Sequence, residues 1–186
     1  MTTIADRPAR AAAGRQLPRR ARKAVLVLHI ASAGAWIGLD VVLAVLVVIA
    51  ATTSDPGRAA LCLQALELFA TGPMLVTGLA CLVTGLVLGL GTKYGLVRYW
   101  WVAVKLVLNV VLVVLVATAL RSGVHDAAEQ GRALAAGKVG SVPIGDLKFP
   151  PIVSPLALMV ATTLSVYKPW GRLRRKAVLP SAQSAV

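Results

Sequence analysis

From Ala24 to Ala51 the chain runs for 28 residues with only two ionisable side chains, His29 and Asp40. About 20 apolar residues suffice to cross a bilayer as a helix, so this run is long enough to span, with its histidine and aspartate at hydrocarbon depth. Three further runs share its character. The second follows the turn-like Ser54-Asp55-Pro56-Gly57 and becomes continuously apolar from about Leu68 to Leu90, after a mixed stretch carrying Gln64 and Glu67 whose first turns fit the interface. The third runs from Trp100 to Leu120, opened by an aromatic pair beside Arg98 and Tyr99, as expected of residues anchored at headgroup level. The fourth runs from Phe149 to Tyr167, where Pro150 and Pro151 suit a first helical turn and Pro155 bends the helix if it starts earlier.

These runs predict an all-α polytopic membrane protein, a bundle of four transmembrane helices over about 24–51, 65–90, 100–120 and 149–167. Composition agrees: 58% of residues are hydrophobic and 15% charged, against about 25% charged in soluble domains. The net charge of +13 and pI near 10.9 would suit a nucleic-acid binder, but the charge lies between and beyond the apolar runs, which argues against that partner. Seven Lys and Arg precede the first run (Arg7 to Lys23) and five follow the last (Lys168 to Lys176). Taken alternately, segments outside the spans carry fourteen positives against five, which places both termini in the cytoplasm and the protein in the cell membrane. The arm 1–23 and the tail 168–186 have the composition of disordered segments attracted to anionic lipid headgroups. The twin arginines Arg19-Arg20 precede a run about twice too long for a cleaved signal, so the first span is read as retained.

The remaining segment, 121–148, is read as an outer loop in which "HDAAEQGRALAAG" could form a short helix lying on the surface, with His125 a solvated residue or a ligand. Cys62 and Cys81 fall on one predicted helix about 28 Å apart, too far to bridge.

On a helical wheel His29, Trp36 and Asp40 of the first span form one stripe. A carboxylate facing lipid at mid-depth costs about 2.5 kcal/mol or more, so the stripe is expected to face the bundle interior, a wet cavity or another subunit. Depth counting from Val25 puts His29 roughly 6 Å and Asp40 roughly 22 Å from the cytoplasmic edge. Lys105 of the third span is level with His29, and Asn109 lies one turn on. Thr71 and, further out, Glu67 come near the depth of Asp40. Two polar clusters are therefore predicted: His29, Lys105 and Asn109 within, and Asp40 with Thr71 and Glu67 without. Each has a structural alternative, since Lys105 can snorkel to the headgroups, and His29 and Asn109 can simply pair helices.

Opposite the stripe lie Gly34 and Gly38, in the spacing that lets two helices approach closely in lipid. If the stripe faces inward these glycines face outward, where a second copy of the chain could dock as a homodimer through the first span. In the second span "VTGL" repeats, placing Gly78, Gly85 and Gly89 on one face as a packing groove; Thr77 and Thr84 could instead line a permeation path.

"GLVLGLGTKYGLVRYWWVAVKLVLNVV", "LSVYKPWGRLR" and "H…AWIG" resemble a family of uncharacterised actinobacterial four-span integral membrane proteins, over most of residues 24 to 175. More distantly the layout is similar to the membrane domain of copper resistance protein D, a resemblance that implies metal handling. No nucleophile–base pair, metal triad or phosphate loop is visible, so the expected function is that of a non-enzymatic small transport or accessory component without a cofactor. The alternative is a haem- or copper-binding membrane protein, for which only His29 with Met74 or Met159 could supply ligands.

Overall fold

The computed structural model describes residues 17–91, 99–138 and 145–167, so most of the basic arm, the short loop containing Lys93 and Arg98, and the basic tail lie outside the described residues. Four helical stretches are long and apolar enough to cross a membrane, and the chain is a multi-pass all-α bundle.

Helix α1 (Arg19–Thr52) is uninterrupted. It starts after Pro18, whose fixed φ suits the position before a helix, and its apolar sequence contains no proline to stop it for 34 residues. The chain turns at Ser54, and Asp55 caps α2 (Pro56–Ala70) by accepting from the Gly57 N–H at 2.9 Å, with Pro56 in the first turn where no donor is missed. A break at Thr71 separates α2 from α3 (Gly72–Leu90). Its cause is Pro73, which lacks an N–H and withdraws the donor that the Phe69 carbonyl would otherwise receive. The next helix, α4 (Trp100–Leu115), passes through one π-helical turn (Val116–Leu120) directly into α5 (Arg121–Ala135). Gly137 ends this stretch in the left-handed region at φ 75°, with the Gly137 and Lys138 N–H groups folding back onto the carbonyls of Leu134 and Ala133. A 3-10 turn (Asp146–Lys148) leads into α6 (Pro150–Tyr167).

Helix α6, with 18 residues, is about 27 Å long and just matches the hydrocarbon thickness of roughly 30 Å. The other three stretches have 34, 35 and 36 residues and overshoot it. Side-chain pairs give the alignment: Ser154 of α6 meets Asp40, Ser165 of α6 meets Lys105, and Trp36 and His29 of α1 meet Gly78 and Gly85 of α3. On that register the excess of the second and third stretches lies mostly at the end of the bundle away from the start of α1, here called the far end, and that of α1 is shared between the two ends. There the last turns of α1, all of α2 and all of α5 form a helical layer beyond the level of Pro150.

The segment read as a surface helix in an outer loop is thus a continuation of the third span, standing on the bundle and packed along α2. The reason is in its small residues. Ala127, Ala128 and Gly131 are buried against Ala59, Ala60 and Leu63, and a Cβ on Gly131 would stand 3.0 Å from both the Ala60 carbonyl oxygen and Leu63 Cβ. The core continues through both layers, with Trp36, Leu43, Leu63, Leu66, Met74 and Val124 as its largest fully buried apolar side chains. Cys62 and Cys81, expected on one helix, fall on α2 and α3 and are both free.

Candidate functional site

The stripe of α1 faces inward. Trp36 is 0% exposed and Asp40 1% exposed, whereas Gly34 and Gly38 are exposed with no heavy atom within 4 Å of an added Cβ. The burial of Trp36 depends on the second span: a Cβ on Gly78 would lie 2.8 and 2.9 Å from its ring carbons and 3.2 Å from Val113. Gly85 gives the same room to His29, whose Cε1 would be 3.2 Å from an added Cβ, and Gly89 is buried in the same helix. The glycine face of the second span therefore seats the polar stripe of the first.

The outer group differs from the expected one. Asp40 Oδ2 accepts a hydrogen bond of 2.8 Å from the Ser154 hydroxyl, while Oδ1 is buried with no partner among the described residues. Glu67 does not join it. Glu67 lies beyond the break at Thr71, where its carboxylate takes the His125 imidazole at 2.7 Å and the Arg132 guanidinium at 3.2 Å, and Arg132 also reaches Glu129 at 2.9 Å. The physical reason is the far-end layer, which brings α5 alongside α2 and offers Glu67 two donors that a detached loop would not. Thr71 Oγ1 and Trp36 Nε1, like Asp40 Oδ1, are buried without partners among the described residues. His125 is accordingly neither a free loop residue nor part of a metal cluster. Among the described residues no three His, Cys, Asp or Glu side chains group to hold a metal.

The inner group is more populous than expected. His29 Nδ1 lies 3.1 Å from the Cys81 carbonyl oxygen and 3.0 Å from Thr84 Oγ1. The Thr84 hydroxyl donates to Ala80 O at 2.6 Å, so its oxygen is free to accept. Both contacts then want a proton on Nδ1, which leaves Nε2 as the nitrogen with the lone pair. Cys81 Sγ is 3.8 Å from Nδ1, and the thiol also has Asn109 and Ser32 as hydrogen-bonding neighbours. Lys105 does not bond His29 directly: its ammonium donates to Ser165 at 2.8 Å and stands 4.7 Å over the Trp101 ring. Asn109 Oδ1 is buried without a partner among the described residues. Thr77 returns its hydroxyl to its own helix, at Pro73 O and Met74 O.

Two partners, Ser154 and Ser165, escaped the sequence reading because serine is too common in membrane helices to stand out. Depth alone pointed to Ser154: counted from Phe149 it lies about 7 Å inside the far edge, the depth of Asp40. No family model, curated protein or solved structure matches the chain.

Proposed function

We propose that this chain is a non-enzymatic integral membrane protein, a small transport or accessory component, whose working part is the polar interior between its helices. The reading rests on Asp40, fully buried with one of its two oxygens unpartnered among the described residues. A carboxylate taken out of water with a single donor is a stability liability, and an apolar side chain of similar size would pack there at less cost. Its presence is explained by use. The His29 group gives a second polar station about 16 Å along α1 toward its start. On this reading the start of α1 and the tail are cytoplasmic, the basic arm and tail lie on anionic headgroups of the cell membrane, and the open Gly34–Gly38 face takes a second copy.

Complementation tests it. In cells lacking the endogenous copy, Asp40→Leu produced at parental abundance should fail to restore whatever defect the deletion causes, while Val41→Leu, at an exposed position of the same helix, should restore it. Full restoration by Asp40→Leu would remove the interior from the mechanism. The second reading, haem or metal at His29, draws on the orientation of its ring: an imidazole whose Nδ1–H is held by a backbone carbonyl presents Nε2 as a ligand. A Soret band in the purified protein would favour that reading over the first.

A further inference from the structure

Asp40 is bracketed by irregular backbone. In register with it, or within about two turns toward the far end, α2 breaks from α3 at Thr71–Pro73, α4 passes through the π-turn Val116–Leu120, and α6 carries Pro155 inside the helix. Each of the three stretches that accompany α1 thus loses regular hydrogen bonding in one layer. Pro73 and Pro155 withdraw donors from the Phe69 and Pro151 carbonyls, and a π-turn displaces the ladder by one residue. Thr71 Oγ1 adds a buried, unpartnered hydroxyl. Irregular backbone at membrane depth is tolerated where it serves a cavity or an ion site, and discontinuous helices around a carboxylate are how transporters build sites for coupling ions.

Between Asp40 and the far end there is a void of about 10 Å³, bounded by Leu43, Val47, Leu66, Leu120, Pro150 and Pro151. It holds at most one water and has apolar walls, so it separates Asp40 from the far side without connecting the two at rest. A sodium ion would need several oxygens around a volume that is not there, whereas a proton needs only the carboxylate. We propose that Asp40 is a proton-carrying site loaded and unloaded from the far end of the bundle, through the layer where the three neighbouring stretches are broken. This rests on the reading of the interior as the working part and names what it carries.

The exchange step is simple. The O–H bond at Oδ1 breaks with its electron pair remaining on Oδ1, the proton passes to a water admitted through the void and leaves as hydronium, and the Ser154 hydroxyl continues to donate to Oδ2 of the anion. Nothing charged competes at that level among the described residues. On α1 the nearest other titratable group is His29, three turns away, with Arg19, Arg20, Arg22 and Lys23 beyond it at the start of the helix. On α2 Glu67 is engaged by His125 and Arg132 of α5. On α3 Cys81 stands by His29, on α4 Lys105 stands by Ser165, α6 offers Ser154 at this level and Tyr167 at its other end, and toward the far end Arg121 and Lys148, next to Leu120 and Leu147 of the void, are both exposed.

The test is labelling of the full-length protein in proteoliposomes with dicyclohexylcarbodiimide, an apolar reagent that adds to protonated carboxyl groups, read by mass spectrometry. The expected result is modification of Asp40 that falls as pH rises, equal in sodium and in choline chloride. Ser154→Ala, which removes the one donor to the ionised carboxylate, should raise labelling at neutral pH severalfold. Absence of label at Asp40 in the folded protein, or label indifferent to pH, would overturn the proposal. Protection by sodium at fixed pH would overturn it too and assign a cation site. The readout is chemical: an unlabelled Asp40 whose Leu variant still fails complementation would leave the polar interior standing and remove only the proton.

Discussion

Gly78 and Gly38 are both glycines on transmembrane helices, yet opposite outcomes are expected of them. A methyl at Gly78 would stand 2.8 Å from a ring carbon of Trp36, a side chain with no room to retreat because it is itself fully buried. Gly78→Ala should therefore destabilise by about 1–3 kcal/mol, the usual range for overpacking, and lower the thermal midpoint in detergent. Gly38→Ala meets nothing and should leave the midpoint unchanged or raise it, since alanine is the better helix former by up to about 1 kcal/mol. A fall at position 38 matching that at 78 would mean that the second copy proposed for this face stays bound in detergent and packs closely against it. At this scale the sequence was informative about direction: the stripe of His29, Trp36 and Asp40 could be read from helical spacing together with the cost of exposing a carboxylate. It was poor on partners. Ser154 and Ser165 come from a different helix, and depth counting restricts such pairs without choosing among them.

At the scale of elements, the apolar runs fixed which stretches cross the membrane but not where their helices end. Hydropathy falls at Arg121, and so the third span was given an end there. The helix nevertheless continues to Ala135, because packing of small residues against α2 replaces lipid as the partner of its buried face. Likewise the second span reads as one helix with a mixed start, whereas Pro73 divides it into two. The joined layer of α2 and α5 has a direct consequence. With Cys62 and Cys81 replaced by serine, the pair Leu63→Cys and Gly131→Cys should cross-link under mild oxidation, since the two Cβ positions approach to 3.0 Å and need only a small adjustment to reach disulfide distance. A helix lying flat on the membrane would give no such link. The contacts of Glu67 with His125 and Arg132 are exposed and contribute little to this docking, so Glu67→Gln should leave the cross-link intact.

For the whole molecule, four crossings put the start of α1 and the end of α6 on one side, and the fourteen-to-five distribution of positive charge predicts that this side is the cytoplasm. Reporter fusions after Ser181 and within residues 125 to 140 should give opposite signals, and identical signals would contradict the four-span arrangement. The open face of α1 gives a second expectation: Gly38→Cys in the cysteine-free background should cross-link two copies in native membranes, and a band from Trp36→Cys instead would mean that the faces are reversed. The number of spans was legible from hydropathy, which acts along the chain. The interior was not, because it is made by contacts between residues 52 to 114 positions apart, such as His29 with Cys81 and Asp40 with Ser154.

If Asp40 is retained for use, it does nothing for the fold that a neutral side chain of the same volume could not do. The thermal unfolding midpoint of the purified full-length Asp40→Asn variant measures this most directly. Asparagine keeps the volume and the acceptor for Ser154 while removing the ionisable group, and the result expected is a midpoint equal to the parent's or higher. A buried polar group whose loss breaks a needed bond costs about 1–3 kcal/mol, or several degrees in a chain of this size. A fall of that magnitude would show that Asp40 holds the bundle together, and would contradict its reading as the working part of the interior.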